Sequence, residues 1–214
     1  HFRRARRARL RRLSLAWAAA TDALPLAVVG MGLLCRDNPT PVVMASMWLF
    51  WVWMATVLPR LAFYAFNFFG LRRTGLAAAA AVFAALVIGV TAGRTSLRVS
   101  RTEVCSPALP ATFDGLRIAQ FTDLHIGTLV DPDREMRALV DSLNALRPDL
   151  VIFCGDLVNI RGSELDARAM RLLGGLRAPY GVVSVTGNHD AGVYIKDSIA
   201  HPAQASLAEV VARQ

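Results

Sequence analysis

The sequence predicts an α/β fold that follows a set of N-terminal transmembrane helices. The chain of 214 residues is 54% hydrophobic and has a mean hydropathy of +0.40, which is too apolar for an ordinary soluble protein. In its second half, three short apolar runs about thirty residues apart each end in Asp, His or Asn side chains. This spacing is typical of βα units in a sheet whose crevice opens at the strand ends.

Charge divides the chain in the same way as hydropathy does. Residues 1–100 contain thirteen arginines and two acidic residues, whereas residues 101–214 carry a small acidic excess. The arginines are concentrated within residues 3–12, directly before an apolar stretch. Such a cluster is more typical of a cytoplasmic topology signal than of a nucleic-acid-binding segment. We therefore expect a membrane bilayer, and no nucleic acid, as the partner of the first half.

Residues 1–95 are predicted to form a membrane domain with about three transmembrane helices, because three stretches are each long enough to cross a hydrocarbon core of about 30 Å. These stretches are residues 14–35, 42–58 and 76–93. Asp22 either faces a partner or cavity or marks a break between two shorter helices. Pro59 predicts either a kink or a separate interfacial piece after the second stretch. With three spans and a cytoplasmic N-terminus, the second half would lie outside the cytoplasm.

The remainder of the chain, residues 96–214, is predicted to form the α/β domain. Three strands are expected, at residues 116–122, 150–154 and 182–186. Pro132 opens a first helix after the N-cap residue Asp131, and a second helix is expected to begin near Ser163. Alternating strands and helices with short turns indicate a parallel sheet covered by helices. Upstream of these, residues 96–104 alternate apolar and polar side chains, which predicts an edge strand.

The polar residues at the three strand ends are the candidate functional residues, because they offer the oxygen and imidazole donors that suit Mn, Fe, Zn or Mg. They are Asp123, His125, Asp156, Asn188, His189 and Asp190. The Asp156 carboxylate has two oxygens and can bridge two ions about 3.5–4 Å apart. Such a pair lowers the pKa of a shared water, so that hydroxide attacks phosphorus in line. A plain turn at residues 187–190, with Asn188 left-handed, would explain one of these motifs but not three in succession.

Residues from about 97 to 190 resemble the N-terminal half of a calcineurin-like metallophosphoesterase domain, especially that of the membrane-anchored bacterial branch. The resemblance rests on three motifs, which are residues 123–125, 155–159 and 187–190. It implies a partial metallophosphoesterase α/β sandwich that carries a binuclear metal centre.

By match of motif, the resemblance also implies a role for each candidate residue. Asp123 and His125 would bind the first metal. Asp156 would bridge the two metals, and Asn188 would bind the second. His189 would be the catalytic histidine, beside the ligands and free to stabilise charge or to protonate the leaving group.

Two departures from the family pattern bear on this expected site. Family members complete it with a later lone His and a Gly-His-x-His motif, whereas His201 is the one histidine that follows His189 here, and it lies too close behind the third motif to be expected as a ligand. We therefore expect a domain truncated at its C-terminus, inactive as this piece alone. In addition, Asn159 stands where many relatives carry an Asp that hydrogen-bonds the catalytic histidine. His189 is then expected to be a weaker proton donor or to depend on Asp190.

The leading hypothesis is a membrane-anchored hydrolase of phosphoesters that depends on two divalent metal ions. Phosphodiester or lipid-linked substrates are favoured, because the anchor holds the site near the bilayer and the membrane branch of the family tends that way; this inference is an analogy. Two alternatives stay open. The same fold can act as a phosphomonoesterase or nucleotide pyrophosphatase, or a non-catalytic membrane protein can keep a degenerate domain as an interaction module.

Overall fold

The computed structural model describes residues 2–35, 37–196 and 203–213, and these form two compact units. The first unit takes in the described residues up to 35 together with residues 41–96. The second unit takes in residues 37–40 and the described residues from 97 onwards. His201 lies outside the described residues.

Helices that are mostly apolar make up the first unit, and the first of them begins with an arginine-rich stretch. They are α1 (Phe2–Asp22), α2 (Leu24–Leu34), α3 (Thr40–Phe68) and α4 (Arg72–Ile88), the last continued by a π-helical turn at Gly89–Gly93. Within the described residues, three stretches are long and apolar enough to cross a membrane, namely Arg6–Leu34, Thr40–Phe68 and Arg72–Gly93. Large apolar side chains such as Leu34 and Phe68 are exposed on them, as is expected of lipid-facing positions. The three predicted apolar helices are confirmed.

The two predicted interruptions of these helices have different outcomes. α1 ends at Asp22, and Pro25 lies in the first turn of α2, where its missing N–H removes no helical hydrogen bond. The Asp22 carboxylate pairs with the Arg60 guanidinium of α3, which neutralises an acidic group in an apolar region. Pro59, by contrast, lies inside α3 without ending it. The second stretch is therefore one helix rather than a span followed by a separate interfacial piece.

A three-stranded parallel sheet lies at the centre of the second unit. Its strands are β1 (Ile118–Phe121), β2 (Leu150–Cys154) and β3 (Val182–Val185), in the order β1-β2-β3. Ala119 of β1 pairs with Val151 of β2, and Phe153 of β2 pairs with Ser184 of β3. Each strand falls within its predicted run. Because all three are parallel, the loops that carry the candidate residues leave the sheet at the same edge.

Helices pack against this sheet through a continuous apolar cluster. α5 (Pro132–Ala145) begins after Asp131, whose carboxylate accepts a hydrogen bond from the Arg134 N–H at 3.2 Å, as predicted for an N-cap. Its apolar face buries Met136, which is 1% exposed, in the same cluster as Phe153 of β2. α7 (Ala203–Arg213) adds the fully buried Val210 to this cluster.

The second helix of the domain begins later than predicted. α6 spans Ala167–Leu173, and its N-cap is Asp166, whose carboxylate accepts hydrogen bonds from the amides of Arg168 and Ala169. Glu164 was expected in the first turn of this helix. Instead it lies in a preceding 3₁₀ turn, where its carboxylate binds loop amides. The side chain thus competes with helix formation by accepting hydrogen bonds elsewhere.

The edge strand predicted for residues 96–104 is wrong. This segment has no regular secondary structure, and its alternating apolar side chains Leu97, Val99 and Val104 are all exposed. A strand requires a neighbour for its main-chain hydrogen bonds, and the sheet within the described residues does not extend to this segment. An alternation of apolar and polar side chains alone therefore does not produce a strand.

The burial of Met136 leads to a stability prediction. Met136→Ala leaves a cavity between α5 and β2 and should destabilise the domain by about 2–5 kcal/mol. Hydrogen exchange at the β2 amides measures this opening free energy directly. Arg137→Ala, at the exposed next position of the same helix, is the matched control and should change it by less than about 0.5 kcal/mol. Equal effects of the two substitutions would show that α5 does not cover the sheet as described.

Candidate metal centre

Main-chain hydrogen bonds join the loops that follow β1 and β2. The Asp123 N–H donates to the carbonyl oxygen of Gly155 at 3.0 Å, and the His125 N–H donates to that of Asp156 at the same distance. The loop after β3 is held to the second loop by a side chain, because the Asp156 Oδ1 atom accepts a hydrogen bond from the His189 N–H at 2.8 Å. The three predicted motifs are therefore adjacent at one edge of the sheet.

Two imidazoles and a carboxylate converge at this edge. Ligand atoms of His125, Asp156 and His189 all lie within 4.8 Å of one another. The rings of His125 and His189 are 4.4 Å apart between centroids, in an edge-to-face arrangement. Asp123 is next to them, with its Oδ1 atom 3.7 Å from the His125 Nε2 atom. The structure thus brings together four of the residues singled out in the sequence.

Three of these residues have an unusual backbone conformation. Asp123, His125 and Asp156 have φ angles of 55°, 43° and 60°, in the left-handed region that residues with a Cβ atom adopt rarely. Each such residue costs on the order of 1–3 kcal/mol and is maintained only by its surroundings. Strain of this kind is concentrated at functional sites, where it turns a side chain in a required direction.

Two glycines allow the second and third loops to approach closely. Gly155 has a φ of +88°, and a Cβ atom there would lie 2.8 Å from the Cα atom of Gly187. A Cβ atom on Gly187 would overlap the Asp156 carboxylate. The absence of a side chain at both positions is therefore a requirement for placing Asp156 beside His189.

Asp190 connects the same two loops through hydrogen bonds to its carboxylate. Its side chain is fully buried, and its carboxylate accepts hydrogen bonds from four main-chain N–H groups. The donors are Asp156 (2.8 Å), Leu157 (2.9 Å), Val158 (3.1 Å) and Gly187 (2.8 Å). Hydrogen bonds to a charged acceptor are stronger than those between neutral groups. Asp190 thus has a structural role, which is distinct from the predicted support of His189.

His189 is oriented by its neighbours on two sides. Its Nδ1 atom lies 2.6 Å from the main-chain oxygen of Asn159, and its ring is 4.3 Å from that of Tyr194. A carbonyl oxygen can only accept a hydrogen bond, so Nδ1 carries the proton and Nε2 is available to the cluster. From the sequence, Asn159 is expected to act through its side chain, whereas in the structure its main-chain oxygen makes the contact, which any residue at this position would offer.

Asn188 and Tyr194 form the exposed part of the site. The Asn188 amide nitrogen donates to the Tyr194 hydroxyl at 2.7 Å. The three residues brought together here, Asn188, His189 and Tyr194, belong to one loop, yet Tyr194 was not singled out from the sequence. It lies four residues beyond Asp190 and belongs to none of the motifs, so no pattern in the sequence indicated it.

The donor set fits a divalent metal ion. Imidazole and carboxylate groups whose ligand atoms lie within 4.8 Å of one another suit Mn, Fe, Zn or Mg. In addition, the His125 Nδ1 atom is buried and has no hydrogen-bond partner among the described residues. A buried polar atom without a partner is unusual and is often explained by an ion or water that completes its coordination.

Comparisons with known proteins find relatives for part of this chain. Residues 116–210 match the model of the calcineurin-like phosphoesterase family. The UDP-2,3-diacylglucosamine pyrophosphatase LpxG of Chlamydia trachomatis is 35% identical over 103 residues, which are 48% of this chain and 31% of that protein. The uncharacterized metallophosphoesterase YkuE of Bacillus subtilis is 33% identical over 90 residues, which are 42% of this chain and 31% of that protein.

A similar protein is also found in vertebrates. The transmembrane protein with metallophosphoesterase domain of Danio rerio is 33% identical over 104 residues, which are 49% of this chain and 23% of that protein. The chain thus spans about a third or less of the length of these curated relatives. No solved structure matches the chain significantly. The matched segment contains all three motifs and the sheet that carries them, and this segment is similar to calcineurin-like phosphoesterase domains.

Proposed function

We propose that this protein is a membrane-anchored hydrolase of phosphoesters with a binuclear metal site. The observation that carries the proposal is the convergence of His125, Asp156 and His189 within 4.8 Å, at the edge where three strands end. The family match supports hydrolysis as the reaction, since it is a phosphoesterase family. The three apolar helices support the anchor.

Four residues would hold the two ions. Asp123 and His125 would bind the first ion, Asn188 would bind the second, and Asp156 would contribute to both. Divalent ions bound there supply Lewis acidity, which lowers the pKa of water and neutralises phosphoryl oxygens. The protein fixes Asp156 in advance, because the His189 N–H holds one carboxylate oxygen at 2.8 Å. The ligand is thus oriented without reorganisation, which favours catalysis.

His189 is the proposed catalytic residue. Its Nδ1 atom is held by the Asn159 carbonyl oxygen, and Tyr194 packs against one side of its ring. In the neutral ring the remaining nitrogen, Nε2, carries no proton and can accept one; only in the imidazolium form would Nε2 donate a hydrogen bond to the substrate or pass its proton to the leaving oxygen. The imidazole thus acts at one defined atom.

Phosphodiesters, and among them lipid-linked ones, are the proposed substrates. An anchored site meets substrates that are themselves held in the bilayer. One relative is named for the hydrolysis of UDP-2,3-diacylglucosamine, a compound whose name indicates acyl groups and a nucleoside diphosphate. That name also favours a second candidate, a pyrophosphatase that cleaves a diphosphate linkage in such a compound. In both cases the attacked phosphorus carries two substituents, unlike that of a phosphomonoester.

The catalytic domain is proposed to lie outside the cytoplasm. Residues 37–40, between α2 and α3, belong to the same unit as the phosphoesterase domain. The chain between residue 40 and residue 97 must therefore cross a membrane an even number of times, which agrees with one crossing each by α3 and α4. With a single further crossing before residue 35, the domain lies opposite the arginine-rich N-terminus.

The metal site is tested by Asp156→Asn in the protein expressed from its complete reading frame. The amide keeps the size of the side chain and an oxygen for the His189 N–H, but it loses the charge that binds cations. We expect Mn²⁺ affinity to fall by more than the roughly 10- to 100-fold that loss of a residue supporting a metal ligand costs, and hydrolysis to be abolished. Isothermal titration with Mn²⁺ and a chromogenic diester assay measure the two effects. Asp141→Asn, at an exposed position of α5, is the control, and normal activity of Asp156→Asn would exclude the bridging role.

The substrate class is tested by comparing chromogenic esters. With Mn²⁺ present, kcat/KM for bis(p-nitrophenyl) phosphate should exceed that for p-nitrophenyl phosphate by about tenfold or more, a difference of about 1.4 kcal/mol in transition-state binding. A nucleoside diphosphate sugar ester, assayed by release of the nucleoside monophosphate, identifies the pyrophosphatase alternative. Preference for the monoester would contradict the proposed substrate class.

Topology is tested by labelling Cys105, an exposed free cysteine that follows α4 in the chain. In a variant carrying Cys35→Ser and Cys154→Ser, a membrane-impermeant maleimide should label Cys105 in intact spheroplasts. Introducing Ala5→Cys, which precedes the first apolar stretch, into a background that also lacks Cys105 provides the control, which should react only after permeabilisation. The reverse pattern would place the domain in the cytoplasm.

A further inference from the structure

The segment between α2 and α3 contributes to the second unit through hydrogen bonds to two separate loops. Its residues 37–40 belong to that unit, although they are more than fifty positions away from the rest of it in the sequence. The Asp37 carboxylate accepts hydrogen bonds from both terminal guanidinium nitrogens of Arg161, at 2.8 and 3.2 Å. This two-point ion pair is partly buried and fixes the orientation of both groups.

Thr40, the last residue of the segment, is connected to His189 through Glu164. The Thr40 hydroxyl donates to a Glu164 carboxylate oxygen at 2.7 Å. The same carboxylate accepts the N–H of Asn159 at 2.6 Å and that of Ile160 at 3.3 Å. The carbonyl oxygen of Asn159 is the group that holds the Nδ1 atom of His189. Three successive hydrogen bonds thus connect Thr40 with the catalytic imidazole.

Glu164 also lies against the loop of the first motif. A Cβ atom on Gly127, two residues after His125, would lie 2.5 Å from the Glu164 carboxylate carbon. The carboxylate therefore occupies the space beside Gly127 and limits the movement of this turn. The orientation of Glu164, which Thr40 helps to fix, affects the surroundings of both histidines.

Asn38, a second residue of the segment, is connected to His189 through Tyr194. The Asn38 side-chain nitrogen donates to the Tyr194 carbonyl oxygen at 2.8 Å, and its oxygen accepts the Lys196 N–H at 3.0 Å. This amide thus holds the main chain at two points, as a neighbouring strand would. The Tyr194 ring packs against His189, and its hydroxyl accepts a hydrogen bond from Asn188.

We propose that the segment Asp37–Thr40 is a positioning element of the metal site. It fixes His189 from two sides, through Glu164 and Asn159 on one side and through Tyr194 on the other. It contacts neither metal nor substrate, and acts by restricting the loops that do. The role presupposes the proposed hydrolase, since it concerns the geometry of that site.

The test compares Thr40→Val, Thr40→Ser and Asn38→Ala in the protein expressed from its complete reading frame. Valine keeps the shape of threonine but lacks the hydroxyl, whereas serine keeps the donor. We expect faster hydrogen exchange at the Asn159 and Ile160 amides of metal-free Thr40→Val, with β2 unchanged. We also expect a kcat about tenfold lower with KM within about twofold, the scale typical of residues that support metal ligands. Thr40→Ser should restore both values.

Asn38→Ala should lower kcat in the same way without changing exchange at Asn159. Thr102→Val, at an exposed position, is the matched control and should behave as the wild type. Unchanged exchange and kcat in both Thr40→Val and Asn38→Ala would overturn the proposal. So would faster exchange throughout β2, because the effect would then be one of folding. If the wild type hydrolyses no phosphoester, the proposed function fails, while faster or unchanged exchange at the Asn159 and Ile160 amides of Thr40→Val still decides whether the segment holds this loop.

Discussion

The buried carboxylate of Asp190 is the interaction on which the arrangement of the site depends. A charged group without solvent must be compensated, and here four main-chain N–H groups compensate it. Three of them belong to the loop after β2 and one to the loop after β3. The same hydrogen bonds therefore satisfy the charge and hold two loops at a fixed separation. Asp156 and His189 are oriented by these loops, so their geometry depends on a residue whose carboxylate is used for main-chain hydrogen bonds.

Close approach and backbone strain are consequences of this constraint. Gly155 and Gly187 meet at a distance that leaves no room for a Cβ atom, and Asp156 adopts a left-handed conformation between them. Such conformations are unfavourable in isolation, and hydrogen bonds from neighbouring loops stabilise them here. The energy of folding is thus used to preorganise a cluster of donor atoms. A metal ion entering this cluster would meet ligands already in place, which reduces the reorganisation that binding requires.

The segment of residues 37–40 extends the same principle to a distant part of the chain. Asn38 donates a hydrogen bond to the Tyr194 carbonyl oxygen, and Thr40 donates one to the Glu164 carboxylate. Asp190, by contrast, is itself part of one of the loops that it connects. Both sets of hydrogen bonds converge on His189. The Asn159 carbonyl oxygen holds Nδ1 of this imidazole and the Tyr194 ring packs against it, so the surrounding network orients the ring.

The sequence by itself determined the parallel sheet, the three apolar helices and the identity of Asp123, His125, Asp156 and His189 as neighbours. Hydropathy runs and polar residues at strand ends are local patterns, and parallel topology then brings the strand ends together. The sequence also predicted a strand at residues 96–104, and this prediction was wrong, because alternating apolar and polar residues do not supply a neighbouring strand for pairing. Only the tertiary structure decided that Asn159 acts through its main-chain oxygen and that residues 37–40 join the domain. Those contacts connect groups far apart in sequence, and no local pattern encodes them.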